Sequence, residues 1–218
     1  MTHLRIGVKG FILITMEKTN TRKIGRPLSF DRDAALYQAM LLFWRHGYEG
    51  TAISDLTAAM GVTPPSIYAA FGDKKRLFLE AVQLYLSGPS ASDVLIAEAP
   101  TARAAAEAML KASAVGFTGA DTPQGCLLNS AAISCSAAAA DVQRALAALR
   151  LAIEAELTAK IVADVDAGRI ARGTDVNGLA GHVMAVIQGM STLARDGASR
   201  DKLLAVAAMA LAGWPNAV

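Results

Sequence analysis

The stretch DLTAAMGVTPPSIYAAF, residues 55–71, is helical in composition at both ends but carries Gly61, Thr63 and two consecutive prolines, Pro64 and Pro65, in its middle. A proline in a helix interior removes a backbone donor and clashes with the preceding turn, at a cost of roughly 3 kcal/mol. At the first helical position the missing N–H is harmless, because the first amides of a helix have no intrahelical partner. With Thr63 as N-cap, the prolines start a helix rather than break one. Gly61 stops the preceding helix, AISDLTAAM (52–60), for which Thr51 is the expected N-cap. Two short helices joined by a glycine-containing turn make a helix-turn-helix.

Working outward, SFDRDAALYQAMLLFWRHGYEG (29–50) spaces Ala35, Met40 and Leu42 or Phe43 as one helix face. Asp31 and Asp33 stand near its start, Arg45 near its end, and Gly47 and Gly50 terminate it. GDKKRLFLEAVQLYL (72–86) supplies a fourth helix. Phe43, Ile53, Leu56, Ile67, Phe71 and Phe78 form the expected core of this small domain, and Trp44 and His46 are read as packing and capping groups. SGPSASD (87–93) is a candidate joint. Beyond it, helical patterns fall at about 101–118, 126–136, 138–167, 175–196 and 200–213, with breaks at 118–125, 166–174 and 195–199. No strand alternation or tandem repeat stands out, so the expected fold is all-α.

The 218 residues suit about one to two domains. Hydrophobic content is 53%, much of it alanine, with 6% aromatics, which favours helix over sheet. Residues 1–87 hold 11 Lys/Arg against 7 Asp/Glu, a net of +4, and residues 88–218 hold 10 against 12, a net of −2. A basic front and a mildly acidic back suit a nucleic-acid-binding N-terminal domain with a separate body. The segment IGVKGFILIT (6–15) is too short to span a membrane and lacks a signal-peptide cleavage pattern. The working chain is expected to begin near Met16, in the cytoplasm. Two cysteines make neither a disulfide framework nor a zinc pattern. The three histidines, His3, His46 and His182, are scattered, and no HExxH, phosphate loop or nucleophile elbow is present. No enzyme activity, metal or cofactor is therefore expected. A non-specific architectural DNA binder would carry far more than a net charge of +2.

Residues 34–82, AALYQAMLLFWRHGYEGTAISDLTAAMGVTPPSIYAAFGDKKRLFLEAV, resemble the DNA-binding domain of the TetR family of bacterial transcription regulators. The resemblance rests on Trp44, Gly47, Tyr48 and Thr51, on the turn at Ala58, Gly61 and Val62, and on Tyr68 and Phe71 followed by Lys74. It implies an N-terminal extension and basic arm (1–28), a helix-turn-helix domain (29–75) and a helical ligand-binding and dimerisation domain (76–218), about nine helices in all. The start of the recognition helix, Thr63, Pro64, Pro65 and Ser66, would meet base edges in the major groove, the prolines through apolar contact. Thr51, Tyr68 and Lys74 match positions that touch phosphates in the family, and Arg22, Lys23 and Arg26 of the arm would enter the minor groove.

By the same resemblance, the last two helices would pair two copies as a four-helix bundle. Leu179, Val183, Val186, Met190 and Leu193 form a stripe on the first, with Leu204 and Leu211 on the second. Gly181, Ala185 and Gly189 would permit close approach. A mostly apolar or electrophilic effector would lie among Met109, Leu110, Ser113, Phe117, Cys126, Leu127, Leu128, Met184 and Gln188. The expected whole is a homodimeric repressor, released from a pseudo-palindromic operator by a small molecule. Cys126 carries an alternative. Near a helix N-terminus its thiol would be activated for oxidant or electrophile sensing; otherwise it is a small buried hydrophobe. Cys135, nine residues on, would lie about 14 Å away if one helix ran through both.

Overall fold

The computed structural model describes residues 30–88, 90–133 and 135–215. The N-terminal extension and the arm residues Arg22, Lys23 and Arg26 lie outside the described residues. The first helix, α1 (Arg32–His46), starts where the Asp31 carboxylate accepts the amides of Asp33 and Ala34, and it ends at Gly47 with φ of 75°. Ala35, Leu36, Ala39, Met40, Phe43 and Trp44 give it one buried face. Of the two alternatives at 42 and 43, Phe43 is the one fully buried.

The helices α2 (Ile53–Met60) and α3 (Pro64–Phe71) form the helix-turn-helix. Gly61 sits between them in the left-handed conformation, φ 66° and ψ 31°, which residues with a Cβ adopt at a cost. Next, α4 (Lys74–Tyr85) is capped by Asp73 and packs its Leu77, Phe78, Ala81 and Val82 face on α1. The Phe43 and Phe78 rings meet edge-on at 5.0 Å, with Leu56, Ile67 and Phe71 closing the core around them. Each such large buried side chain contributes about 1.5–3 kcal/mol in transfer terms.

The body contains α5 (Ser92–Glu98), α6 (Ala102–Gly116), α7 (Leu127–Ser130), α8 (Ala140–Asp166, preceded by a 3-10 turn at 137–139), α9 (Val176–Arg195) and α10 (Arg200–Ala212). At its centre α6 touches α5, α8, α9 and α10. The alanines of α6 permit this close approach. A buried carboxylate, Asp164 near the end of α8, accepts the Ala102 amide at 2.7 Å and two N–H groups of Arg169, tying the end of α8 to the start of α6. Burying a charge is tolerable only with such full pairing.

Among the described residues there are ten α-helices and no strand, against about nine helices expected. The additional helix is α5, whose seven residues are too few to show a periodic pattern. The helix expected over 126–136 is shortened to Leu127–Ser130. Past it the backbone bonds to the front of the molecule: Tyr48 N–H donates to Ala131 C=O, and Ser136 N–H to Glu49. Those partners replace the helical ones.

Candidate functional site

The exposed start of α3 is built by its prolines. Pro64 and Pro65 occupy the first two helical positions and remove two amides that would otherwise need a cap. Thr63 holds the N-cap backbone position, but its hydroxyl pairs with Ser66 Oγ at 2.9 Å instead of an amide. Thr63, Pro64 and Pro65 are exposed, Ser66 is partly so, and Tyr68 projects with half its surface in solvent. Behind this face, Arg32 lies over the Phe71 ring at 4.4 Å and donates to Glu80 at 2.6 Å, so α1 and α4 hold α3 in place.

Thr51 is placed otherwise than expected. It is fully buried, its hydroxyl donating to the Gly47 carbonyl at 2.7 Å. The N-cap of α2 is Ala52, whose amide donates to the Asp55 carboxylate. A hydroxyl committed inward leaves only backbone at this point to face a phosphate. Lys74 holds its ammonium over the Tyr48 ring, 4.6 Å from the centroid, and burial lowers its pKa. With Lys75 and Arg76 it forms a run of three cations in the first turn of α4, against the preference of a helix N-terminus for anions.

A cavity of about 230 Å³ opens between α1, α4, the start of α5, α6, α7, α8 and α9. Of the expected effector residues, Met109, Ser113, Phe117, Cys126, Leu128 and Met184 line it. Leu110 and Leu127 are instead fully buried core, and Gln188 points to solvent on α9. The wall also contains Trp44, Tyr85, Leu95, Asn129, Arg150, Ile153 and Ile187. Trp44 donates its indole N–H to the Gly125 carbonyl at 3.0 Å and meets the Tyr85 ring edge-on at 4.8 Å. The Tyr85 hydroxyl donates to Cys126 Sγ at 3.3 Å.

Burial pushes the Cys126 thiol above its ordinary value and outweighs the Tyr85 hydrogen bond, the amides of Asn129 and Leu128, and the Arg150 charge, all of which act downward. Of the two readings of Cys126, the raised pKa favours the buried small hydrophobe over the activated thiolate: α7 has only four residues, and its small dipole acts on a buried sulfur. Cys135, half-exposed, lies beyond the end of α7, so no single helix joins the two cysteines. Its thiol is pushed up by burial and by the Glu49 carboxylate.

One segment, 125–136, connects this cavity to the helix-turn-helix. Its first residues line the cavity, Ala131 accepts the Tyr48 amide, and Ser136 donates from both N–H and hydroxyl to Glu49 at 2.8 and 2.6 Å. Lys75 of α4 pairs with Asp141 of α8, and Arg195 of α9 donates to Ser130 Oγ and to the Arg45 carbonyl.

Residues 35–81 match the description of bacterial regulatory proteins of the tetR family. Over 196 residues, 89% of this chain and 93% of that protein, the sequence is 37% identical to the HTH-type transcriptional repressor ComR of Escherichia coli K12. The chain belongs to the TetR family. It is a DNA-binding transcriptional regulator, and its relatives are regulators rather than enzymes. A cysteine-substituted TetR-family regulator, CifR, complexed with 26-base-pair operator DNA is similar at 40% identity and a TM-score of 0.78, covering 88% of this chain and all of that one. A TetR regulator from Rhodococcus sp. RHA1 is 35% identical with a TM-score of 0.60, covering 86% of this chain and all of the other.

Within this TetR-family chain, Trp44, Tyr85 and Arg150 are among the cavity residues that the sequence reading did not place. Trp44 belongs to α1 and Tyr85 to the end of α4, and Arg150 lies within the long α8, for which the sequence offered only a helical pattern. They become one wall only where Trp44 meets Tyr85 and α8 packs on α7. Among the described residues no helix is long and apolar enough to cross a membrane, and no cluster of His, Cys, Asp and Glu could hold a metal ion.

Proposed function

We propose that this protein is a homodimeric repressor whose hold on a pseudo-palindromic operator is released when a small molecule enters the α6–α8–α9 cavity. The observation that carries this reading is the shared wall: Trp44 and segment 125–136 belong at once to the cavity and to the supports of the helix-turn-helix. A ligand that repacks Trp44, Cys126 or Leu128 acts on the Gly125, Ala131 and Ser136 contacts that hold α1 and the Tyr48–Glu49 turn. Coupling then needs only that the ligand bind one arrangement of this segment more tightly than the other.

On DNA, Thr63, Pro64, Pro65 and Ser66 face base edges, the two hydroxyls supplying donors and acceptors and the prolines apolar contact. Tyr68, Lys74 and the backbone at Thr51 and Ala52 contact phosphates. The cations at 74–76 support this: Lys75 is paired with Asp141 and Arg76 with Asp73, which leaves Lys74, over the Tyr48 ring, as the one without a carboxylate partner among the described residues. Arg22, Lys23 and Arg26 complete the footprint in the minor groove. The complex of CifR with operator DNA and the repressor function of ComR support the same reading. Two-fold pairing gives the length of site that one helix-turn-helix lacks.

The test is selection by the purified protein from a random duplex library, followed by stoichiometry on the winning sequence. A pseudo-palindrome bound by two chains, and weakened by Tyr68→Ala or Lys74→Ala, is the expected result. An asymmetric site bound by one chain, or no enrichment, would overturn the reading.

A further inference from the structure

The cavity wall contains one ionised side chain, Arg150, and no carboxylate. Arg150 is partly buried, and loss of solvent lowers its pKa. A guanidinium drawn partly out of water gains from a carboxylate partner. Among the described residues Arg150 has none: it takes part in none of the ion pairs, including none with Glu154, one turn along the same helix. Its one hydrogen bond sends Nη1 to the Leu128 carbonyl at 2.7 Å. That bond anchors the guanidinium against segment 125–136 while a guanidinium has five N–H donors in all. The remaining wall is mostly apolar, with Leu95, Met109, Phe117, Ile153, Met184 and Ile187 around the charge.

We propose that the cavity takes a small amphipathic carboxylate, its apolar body against these side chains and its carboxylate on the free N–H groups of Arg150. This deepens the effector reading above and rests on it for the link to DNA. The wall chemistry favours the ligand as a whole. An apolar body gains by leaving water, and a planar guanidinium matches a carboxylate with two parallel hydrogen bonds. A neutral ligand of the same shape would leave the arginine as uncompensated as it is in the empty site. The carboxylate also draws on the group that holds Leu128, so its binding reaches the segment that carries Ala131 and Ser136.

The direct test is calorimetry of the full chain at neutral pH with two matched pairs, hexanoate against hexanamide and phenylacetate against phenylacetamide. The acids should bind about tenfold or more tightly than the amides, the range expected of a hydrogen bond to a charged group. Arg150→Gln should abolish the preference, and Arg150→Lys, which keeps the charge, should retain part of it. The acid–amide comparison in the native chain needs no variant, so a misfolded Arg150→Gln does not protect the proposal. Equal binding of acids and amides, binding of neither, or a preference that survives in folded Arg150→Gln would each overturn it. Operator release is read separately. Acids that bind with the stated preference but leave the DNA complex intact uphold the anion site and sink the effector reading. Release by neutral compounds alone does the reverse.

Discussion

The thiol of Cys126 is surrounded by groups that act in opposite directions. Burial raises its pKa and is the largest effect; the Tyr85 hydroxyl, two amides of α7 and the Arg150 charge lower it. Because the thiolate is the nucleophile, a raised pKa means a smaller reactive fraction at neutral pH than for an ordinary thiol. Iodoacetamide labelling followed by peptide mass mapping should therefore find Cys126 slower than free cysteine at neutral pH. Labelling should accelerate as pH passes above the ordinary thiol value, and Arg150→Gln should slow it further. Labelling faster than free cysteine at neutral pH would mean that the helix and the arginine dominate after all, and would restore the thiol-sensor alternative. Spacing alone showed a cysteine after TPQG; which effect wins depends on how much of the chain closes over the sulfur, and that is a tertiary quantity.

The helices that face DNA are held to the body by a few short contacts, and two of these titrate. The Glu49 carboxyl is held below its ordinary value by the hydroxyl and amide of Ser136, and Asp141 by its bond with Lys75. A depressed folded pKa adds stability that is present above the unfolded value and is lost as pH falls through the folded one. Contact between α1–α4 and the body should therefore loosen below about pH 4, where carboxylates protonate. Trp44 bridges the two and reports the change by fluorescence. Glu49→Gln with Asp141→Asn should flatten the acid branch of that titration; an unaltered curve would show that other carboxylates control it. At this scale α1 to α4, α6, α8, α9 and α10 were legible from caps and periodicity, with ends shifted by a few residues. The end of α7 was not, because Ala131 and Ser136 bond to residues some eighty positions away.

For the molecule as a whole, the proposed pairing surface divides between residues buried in the chain and residues exposed on the same two helices. Val183, Met190 and Leu211 of the expected stripe are buried inside the protomer, and Leu179, Val186, Leu193 and Leu204 are partly so. Exposed on the same two helices are Ala185, Gly189 and Thr192 of α9 and Ala205, Ala208 and Met209 of α10, with Met209 75% in solvent. A Cβ added at Gly189 would meet nothing within 4 Å, so close approach by another helix is open there. Met209→Glu should give a monomer by sedimentation and weaken operator binding, with the fold intact. Leu211→Ala should instead cost about 2–5 kcal/mol of stability as a core truncation, with pairing retained. If Met209→Glu remains dimeric with native DNA affinity, the α9–α10 face is not the pairing surface.

The sequence by itself determined the helical class, the proline-led recognition helix and the family, because capping, proline placement and glycine turns act within a few residues of one another. Tertiary structure alone decided which apolar faces turn inward, that Trp44 and Tyr85 reach the cavity, that Arg150 stands in it without a carboxylate, and that Cys126 is masked. Those properties are sums over groups far apart along the chain, and a linear pattern contains their spacing but not their meeting.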